Sequence, residues 1–336
     1  MKIGILGATG AVGEQMRICL EEQDINVSSL RLFASEKSAG KKLKFKNEDV
    51  IIEKIDENTF KGLDVVLGAV ENDLAEKYAP YIVKSGAVFV DNSSAFRLKE
   101  NVPLVVPEIN ACDIKKHEGI IANPNCVTII ALMGVAPIHK VSPVETMIAT
   151  AFQAVSGAGK EGMTELATQM NKIITENIDM TKDGIGFEHN KFKHTIAYNL
   201  IPAIGGFDDK GFSSEEMKLQ NEGRKILHAP SMKVNCTCVR IPIMRSHSIS
   251  VSIATKEKLS LDKARDAIKS FPGVKLVDDV KNDVYPMPIN TSNKDIVEVG
   301  RIREDLALNN GISLFVVGDQ IRKGAATNAV QIIKEL

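Results

Sequence analysis

A cysteine that closes the sequence Asn-Pro-Asn-Cys at residues 123–126 is the side chain best suited to chemistry in this chain. Pro124 favours an extended conformation in the residue before it, so we expect no helix to begin earlier. Asn125 is a good N-cap residue, which predicts that the apolar run 127–133 continues a helix with Cys126 in its first turn. A helix N-terminus lowers the pKa of a thiol, so Cys126 is a candidate nucleophile. Taken alone, the pattern favours a small buried residue, and the other motifs of the chain reverse that preference.

A histidine and an arginine could act with such a thiol. His247 lies between two predicted strands, Lys233–Pro242 and Ser248–Thr255, which we expect to belong to an antiparallel sheet. Strict alternation would place Arg240 and His247 on opposite faces, but Pro242 interrupts strand pairing, so a bend could bring both to one side. Histidine titrates near neutral pH and can move a proton there.

A glutamine and a glycine-serine turn follow the predicted strand Met147–Phe152. Gln153 at the strand end could donate a hydrogen bond to a substrate or could be an ordinary polar residue. The turn that contains Ser156 and Gly157 opens a predicted helix over residues 162–177, and its backbone N–H groups could meet a ligand. An irregular connection over residues 178–207 follows, with a turn predicted at Asp183-Gly184.

Charged residues on the next helix are also candidates. Ser213-Ser214-Glu215-Glu216 is a capping-box pattern that predicts a helix through about residue 228. Glu215 and Lys218 share a face of this helix, either as an exposed ion pair or as a pair facing a site.

A glycine-rich segment near the N-terminus predicts dinucleotide binding. Lys2–Leu6 has the character of a buried strand, and Gly7, Gly10 and Gly13 follow it with G-x-x-G-x-x-G spacing ahead of a helical pattern. In such a motif the first glycine allows a tight turn, the second lets a pyrophosphate approach the backbone, and the third allows close helix–strand packing. A purely structural turn is the alternative.

The segment after the second predicted strand, Leu30–Ala34, bears on cofactor choice. An acidic residue at this point binds the ribose 2′-OH of NAD, whereas a basic residue accommodates the 2′-phosphate of NADP. Glu36 is followed by Lys37 and Ser38, and the basic, hydroxyl-rich surroundings favour NADP. A solvated loop is the alternative.

Alternating strands and helices predict a parallel, doubly wound sheet in the N-terminal half. The predicted strands are Asp64–Val70, Ala87–Asp91 and Leu104–Val106, with a helix at Ala75–Lys84. Arg97 follows one strand end, where ligands bind in such sheets, and could hold a phosphate or carboxylate. Taken alone, its position favours a surface arginine. A last strand at Ile312–Val317 and a closing helix from about residue 323 to 336 are also predicted.

Composition limits the class of protein. The chain has 336 residues, 44% of them hydrophobic and 25% charged, with a net charge of −1, so nothing indicates nucleic-acid binding. Its five cysteines form no disulfide framework, and Cys236 with Cys238 lacks a second ligand pair at zinc spacing, so core packing is favoured there. No apolar stretch reaches the ~18 residues of a membrane span. Residues 1–7 contain no long apolar h-region before the glycines, so we expect no signal peptide and a cytoplasmic protein.

The motifs together resemble those of the bacterial aspartate-β-semialdehyde dehydrogenase family, along essentially the full chain. In order, they are Gly7–Gly13, Asn123–Cys126, Gln153–Gly159, Glu215–Lys218, and Arg240–Pro242 with His247. The resemblance implies an α/β protein with a Rossmann-type doubly wound parallel sheet in an NADP-binding domain, residues 1–125 with 318–336. It also implies an α+β catalytic and dimerisation domain with a mixed sheet, residues 126–317.

The resemblance also implies an activity. The family interconverts L-aspartate 4-semialdehyde and L-aspartyl 4-phosphate, with NADP(H), inorganic phosphate, a thioester on the nucleophile and no metal. It supplies lysine (through diaminopimelate), methionine, threonine and isoleucine biosynthesis, as a homodimer that could assemble further into a tetramer.

Roles for individual residues follow from the matched motifs. Cys126 would be the nucleophile and His247 the general acid and base, while Gln153 positions the acyl group. Arg240 would bind the substrate carboxylate and Glu215 would lie near the amino group. Arg97 and Lys218 would hold phosphate. The implied cofactor contacts are Thr9, Gly10, Ala11, Val12, Lys37, Ser38, Ser156, Gly157 and Gln320. The family commonly has Asn at position 320, and Glu71-Asn72 replaces the small residues expected near the nicotinamide.

Three alternatives remain open. An N-acetyl-γ-glutamyl-phosphate reductase would share the architecture and the cysteine, but Glu215 beside a free amine argues against an acetylated substrate. A glyceraldehyde-3-phosphate dehydrogenase type is disfavoured because Val127-Thr128, and not a Thr-Thr run, follows the cysteine. A non-catalytic NADP-binding redox sensor is disfavoured by the simultaneous presence of a histidine and phosphate-binding candidates.

Overall fold

A computed structural model describes residues 1–182 and 186–336. The strands are β1 Lys2–Leu6, β2 Ser29–Ala34, β3 Lys42–Phe45, β4 Glu48–Lys54, β5 Val65–Gly68, β6 Val88–Asp91, β7 Ile120–Ala122, β8 Val144–Gln153, β9 Lys233–Arg240, β10 His247–Thr255, β11 Val274–Leu276, β12 Val297–Glu304 and β13 Gly311–Gly318. The helices are α1 Ala11–Glu22, α2 Asn72–Lys84, α3 Pro107–Asn110, α4 Cys126–Val141, α5 Gly159–Thr175, α6 Ser214–Ile226, α7 Leu261–Lys269, α8 Pro288–Thr291 and α9 Thr327–Lys334. The chain divides into two compact units.

The first unit is a doubly wound domain. It comprises residues 1–129, 221–230 and 321–336. Its seven-stranded sheet has the order β3-β4-β2-β1-β5-β6-β7, and every pairing except that of β3 with β4 is parallel. Without β3, this is the strand order of a dinucleotide-binding fold. The core packs helices α1 and α9 against the sheet, through side chains that include Met16, Leu20, Val330 and Ile333.

The second unit contains a mixed sheet. It comprises residues 130–220 and 231–320, and its six strands have the order β11-β12-β13-β10-β8-β9. The two outer pairings, β8 with β9 and β11 with β12, are parallel, whereas the central pairings are antiparallel. The sequence prediction of an α/β first domain and a mixed-sheet second domain is therefore confirmed. No helix in the described ranges combines the length and hydrophobicity that a membrane span requires.

Two local predictions were wrong, one was incomplete, and one is not tested. Leu104–Val106 is not a strand, because Leu104 makes only an isolated bridge to Ala122 and Pro107 begins a short helix directly afterwards. The sheet that contains β9 and β10 is mixed and not antiparallel, because β10 pairs antiparallel with β8 and β13, whereas β9 pairs in parallel with β8. The closing helix begins with a π-helical segment over Arg322–Ala326. The turn predicted at Asp183-Gly184 lies outside the described residues.

Candidate active site

Cys126 begins helix α4, as the sequence predicts, and Asn125 caps it. The Asn125 side-chain oxygen accepts hydrogen bonds from the N–H groups of Val127 at 2.9 Å and Thr128 at 3.3 Å. These bonds satisfy two of the N–H groups that every helix leaves unpaired at its start. Cys126 is half-buried, so its thiol lies at the helix terminus with partial access to solvent.

Arg97 is a buried residue of the first unit and not a surface arginine. Only 7% of it is exposed. Its Nη1 donates to Glu222 Oε1 at 3.0 Å, and its Nη2 donates to the carbonyl oxygen of Asn92 at 2.6 Å. Its Nε–H has no partner within the residues that the structure describes. Arg97 therefore keeps donor capacity that an anion could use.

Glu222 is a site residue that the sequence reasoning missed. Its Oε2 accepts a hydrogen bond of 2.6 Å from the backbone N–H of Asn125, the residue before the candidate nucleophile. The Glu222 side chain is buried and ion-paired with Arg97. Spacing along the helix was the one signal that could have indicated Glu222, because it follows Lys218 by four residues and so lies on the same helix face, one turn further along.

The glycine loop of the first unit has the geometry that its spacing predicts. Gly7 has a φ of +85°, and a Cβ there would lie 2.3 Å from the carbonyl oxygen of Ala69. A Cβ on Gly13 would lie 2.2 Å from the oxygen of Gly7. Gly10 is the N-cap of helix α1, and a Cβ there would meet nothing closer than 3.5 Å. Thr9 and Gly10 are exposed, and Ala11 and Val12 are half-buried.

The loop after β2 carries an acidic residue that is already paired. Glu36 accepts a hydrogen bond of 2.7 Å from the Lys54 ammonium group on β4. This pairing lowers the pKa of Glu36. Lys37 is exposed and Ser38 is half-buried in the same loop.

Asn72 occupies a position where a small residue is expected. Its side-chain amide donates a hydrogen bond to the Ser94 hydroxyl and accepts one from the Ser94 backbone N–H.

Arg240 and Gln153 are neighbours in the second unit, because they pair in register at the ends of parallel strands β9 and β8. Arg240 Nη1 donates to the carbonyl oxygen of Ala154 at 2.6 Å, and its guanidinium lies 6.0 Å from the ring centre of Phe192. Arg240 is buried, with 6% exposed. Its guanidinium is held by the hydrogen bond to the backbone and by the contact with the aromatic ring. The role of Phe192 had no sequence signal, because it lies in the irregular segment after α5.

His247 is fully buried at the start of β10. The backbone N–H of Ala154 donates to its Nδ1 at 3.1 Å. Burial, with the Arg240 charge adding to it, lowers the pKa of His247 to about 3, although Glu215 opposes the shift. The ring is therefore neutral at neutral pH. We assign its proton to Nε2, because Nδ1 accepts the amide hydrogen bond.

Gly157 brings Arg240 and His247 to one side. A Cβ on Gly157 would lie 2.9 Å from Arg240 Nη1, 3.2 Å from His247 Cε1 and 3.4 Å from its Nε2. The two side chains thus converge over this glycine. The bend that the sequence left open does occur, because β9 ends at Arg240 and β10 begins at His247.

Glu215 links the predicted substrate and phosphate residues within the second unit. Its carboxylate accepts hydrogen bonds from Gln153 Nε2 at 3.3 Å and from Lys218 Nζ at 2.9 Å. Only 10% of the Glu215 side chain is exposed, compared with 30% for Lys218. The pair is therefore a partly buried one and not an exposed surface ion pair. The Ser213–Glu216 capping box that starts the helix is formed in both directions.

Gln320 braces two other residues of this unit. Its side-chain amide donates to Ser156 Oγ and accepts a hydrogen bond of 3.0 Å from the backbone N–H of Ser246, next to His247. Gln320 is buried. The longer side chain at this position, where the family commonly has Asn, therefore connects the glycine-serine turn to the histidine.

Each unit thus assembles one part of the predicted set. The first unit holds the glycine loop, the loop after β2, Arg97 and Cys126. The second unit brings together Gln153, Glu215, Lys218, Arg240 and His247, with Ser156, Gly157 and Gln320 beside them. The first set can bind a dinucleotide and present a thiolate. The second can bind a carboxylate and move a proton.

Comparison with known proteins identifies the family. Residues 2–117 match the model of the semialdehyde dehydrogenase NAD-binding domain, and residues 135–323 match that of the semialdehyde dehydrogenase dimerisation domain. An aspartate-semialdehyde dehydrogenase from Aquifex aeolicus is 44% identical over 100% of this chain and 97% of its own length. The corresponding protein of Bacillus subtilis is 41% identical with the same coverage.

Solved structures agree with the sequence relatives. The crystal structure of aspartate semialdehyde dehydrogenase II from Vibrio cholerae, complexed with ASA, superposes with a TM-score of 0.94 at 39% identity. That alignment covers 100% of this chain and 97% of the Vibrio chain. The relatives match along the whole chain, and both domain models match this chain. This chain belongs to the aspartate-semialdehyde dehydrogenase family.

Proposed function

We propose that this protein is an NADP-dependent, phosphate-requiring aspartate-semialdehyde dehydrogenase. It would interconvert L-aspartate 4-semialdehyde and L-aspartyl 4-phosphate and so supply lysine, methionine, threonine and isoleucine biosynthesis. The observation that carries the proposal is the convergence of Arg240 and His247 over Gly157, in a chain that also presents Cys126 at a capped helix start. The Vibrio relative solved with ASA, which we take to be aspartate semialdehyde, supports the substrate.

Cys126 is the proposed nucleophile. The dipole of helix α4, whose first residue is Cys126, favours a thiolate. In the biosynthetic direction the thiolate attacks the acyl carbon of the acyl phosphate, a C–S bond forms, and phosphate departs with the electron pair of the C–O bond. A thiolate serves both as an attacking group on an acyl phosphate and as a leaving group later.

His247 is the proposed acid and base. The neutral ring acts through Nε2–H, which donates a hydrogen bond to the thiohemiacetal oxyanion that reduction of the thioester produces, and the proton stays on Nε2. When the oxyanion collapses to the aldehyde, its electron pair forms the C=O bond, the C–S bond breaks, and Cys126 leaves as thiolate. The lowered pKa keeps the ring neutral, and the Ala154 amide on Nδ1 keeps the proton on Nε2.

Arg240, Glu215 and Gln153 are proposed to bind the substrate. The guanidinium of Arg240 matches a carboxylate, and its contacts with Ala154 and Phe192 hold it in place. Glu215 would accept hydrogen bonds from the substrate α-amino group, and Gln153 beside it would orient the acyl group. Fixing both ends of a short substrate converts binding into proximity.

Arg97 and Lys218 are proposed to hold phosphate. Each is already paired with a carboxylate, Arg97 with Glu222 and Lys218 with Glu215. A bound phosphate would therefore use the N–H donors that remain on each cation.

The first unit fits a dinucleotide. Close backbone packing requires Gly7 and Gly13, whereas a Cβ on Gly10 would make only an ordinary contact, 3.5 Å from the oxygen of Gly7. A close approach by a ligand from outside explains that glycine. Thr9, Gly10, Ala11 and Val12 would line the pyrophosphate, and Lys37 and Ser38 the 2′-phosphate. Ser156, Gly157 and Gln320 are the other proposed contacts. When bound, NADPH supplies the hydride.

We further propose a cofactor domain, residues 1–125 with 318–336, and a catalytic and dimerisation domain, residues 126–317. The compact units differ from these bounds, since residues 126–129 and 221–230 belong to the first unit and residues 318–320 to the second. The match of residues 135–323 to a dimerisation-domain model supports a homodimer, which could pair into a tetramer. Light scattering after size-exclusion chromatography measures the assembly directly. A monomer at micromolar concentration would refute it.

The decisive assay follows reduction of NADP and of NAD at 340 nm with L-aspartate 4-semialdehyde, with and without inorganic phosphate. We expect turnover that requires phosphate and prefers NADP. Phosphate-independent turnover would refute the acyl-phosphate route. Activity only with the corresponding N-acetylglutamyl substrate would favour an N-acetyl-γ-glutamyl-phosphate reductase.

Two variants connect the activity to the proposed residues. Cys126→Ser should nearly abolish turnover while NADPH affinity stays close to wild type. Arg240→Lys should weaken substrate use more than cofactor binding, because lysine cannot form the bidentate pair. An unchanged kcat/KM in the Arg240→Lys variant would remove Arg240 from the mechanism. If Cys126→Ser lost only a redox response, the result would favour the non-catalytic NADP-binding redox sensor.

A further inference from the structure

We propose that Glu222 is a positioning residue that clamps Arg97 to the backbone before Cys126 and thereby sets the affinity for phosphate. This inference rests on the proposed function, because it assigns to Arg97 the binding of phosphate. Glu222 has no role of its own in the chemistry. It acts through the two groups that it holds.

The two oxygens of Glu222 bind different partners. Oε1 accepts from Arg97 Nη1 at 3.0 Å, and Oε2 accepts from the N–H of Asn125 at 2.6 Å. The exposed fractions of the Arg97 and Glu222 side chains are 9% and 2%. All three residues belong to the first unit, so one buried carboxylate fixes the guanidinium relative to the turn that starts helix α4.

Only a carboxylate satisfies both donors. Glutamine at position 222 would offer one oxygen acceptor and one NH₂ donor. Whichever way that amide turned, its NH₂ group would face either the Arg97 N–H or the Asn125 N–H. One of the two bonds would be lost, and a buried donor left without its acceptor weakens the whole arrangement.

A second anchor from the same helix turn supports the positioning role. Lys225 Nζ donates to the carbonyl oxygens of Arg97 at 2.9 Å, Lys99 at 2.7 Å and Val102 at 2.7 Å. Burial lowers the pKa of Lys225. Lys225 holds the main chain of the segment 97–102, whereas Glu222 holds the guanidinium.

Arg97 remains able to bind an anion while it is clamped. A guanidinium has five N–H donors, and the bonds to Glu222 and Asn92 use two of them. The Nε–H has no partner in the described ranges. The clamp therefore orients the remaining donors and does not consume them.

The test measures steady-state kinetics of Glu222→Gln and Glu222→Asp, with Glu76→Gln, an exposed charge on α2, as the matched control. We expect Glu222→Gln to raise the KM for phosphate by about tenfold to a hundredfold, the factor for one hydrogen bond to a charged group. The KM for the aldehyde should stay close to wild type. Glu222→Asp keeps both oxygens on a shorter side chain and should give an intermediate KM for phosphate.

The outcomes are separable. If wild type turns over without phosphate, the proposed function fails. If wild type requires phosphate but Glu222→Gln keeps the wild-type KM for it, or if both KM values rise together, the clamp is refuted. Should Glu222→Gln fail to fold, the aspartate variant decides, because a wild-type KM for phosphate in that variant overturns the proposal.

Discussion

The backbone N–H of Ala154 donates a hydrogen bond to Nδ1 of His247, 3.1 Å away, on a ring that is fully buried. Strand β8 ends one residue earlier, at Gln153, and its neighbour in the sheet, β10, begins at His247. The main chain that follows β8 therefore sets the tautomer of the histidine at the start of β10. The imidazole is thereby held neutral, with its proton on the nitrogen that faces away from the amide.

The buried neutral His247 predicts a pH dependence of stability. Its pKa is about 3 in the folded protein and near 6.5 in the unfolded chain, so between about pH 3 and pH 6.5 the unfolded chain binds the proton and the folded protein does not. The stability that neutral His247 contributes is complete above pH 6.5 and falls with decreasing pH by up to about 1.4 kcal/mol per unit.

Urea denaturation of wild type and His247→Asn between pH 7.5 and 5 measures this effect. The free energy of unfolding of wild type, minus that of the variant, should decrease as the pH falls below 6.5. The other five histidines are present in both proteins, so their contributions cancel. A difference that stays constant over this range would contradict the buried neutral state.

Gly157→Ala should damage substrate binding. The new Cβ would lie 2.9 Å from Arg240 Nη1 and 3.2 Å from His247 Cε1, distances that force these side chains to move. We expect kcat/KM for the aldehyde to fall by about a hundredfold, because sub-ångström displacement of positioned groups is costly. Gly206→Ala, where a Cβ meets nothing within 4 Å, is the matched control and should keep wild-type kinetics. Equal kinetics for both variants would contradict the convergence.

Lys54→Ala should shift the cofactor preference toward NAD. In the structure Lys54 pairs with Glu36 at 2.7 Å, which neutralises the carboxylate that would otherwise repel a 2′-phosphate. Freed of this partner, Glu36 could accept a hydrogen bond from a ribose 2′-OH. The ratio of kcat/KM for NADP to that for NAD should therefore fall.

The control for the cofactor prediction is Lys44→Ala. Lys44 forms a comparable exposed pair with Asp49 on the neighbouring hairpin strands, so its loss removes one positive charge without freeing Glu36. An identical change in the NADP-to-NAD ratio in both variants would mean that general charge, and not the Glu36 pairing, controls the preference.

Local signals in the sequence predicted much of the fold and the site. The cap at Asn125, the glycine loop and the capping box at Ser213 each depend on a few neighbouring residues, and all three form. The β3–β4 hairpin was missed because its turn consists of Lys46 and Asn47, both with positive φ, instead of the usual Asn-Gly.

Relationships between distant segments could not be predicted in this way. The Glu222–Arg97 pair joins residues 125 positions apart, and its importance follows from burial that spacing alone does not reveal. The order of β8, β9 and β10 likewise depends on tertiary packing, since neighbouring strands in sequence need not pair.

Lys323 is expected to be a major contributor to the stability of the first unit. It is 1% exposed, and its ammonium group donates to Glu108 Oε2 at 2.5 Å, Asn328 Oδ1 at 2.9 Å and Gln331 Oε1 at 2.7 Å. These three acceptors match the three N–H donors of a lysine. Replacing Lys323 would leave the nearly buried Glu108 carboxylate without its counter-charge.

Lys323→Met should lower the free energy of unfolding by about 3–5 kcal/mol, the range for removing one partner of a buried ion pair. Chemical denaturation measures the loss, and Lys334→Met, an exposed lysine on helix α9, is the control with little expected effect. The double variant Lys323→Met with Glu108→Gln should recover part of the loss, because the unpaired charge is then gone. If the double variant is no more stable than Lys323→Met, the destabilisation comes from lost packing and hydrogen bonds instead of the buried charge.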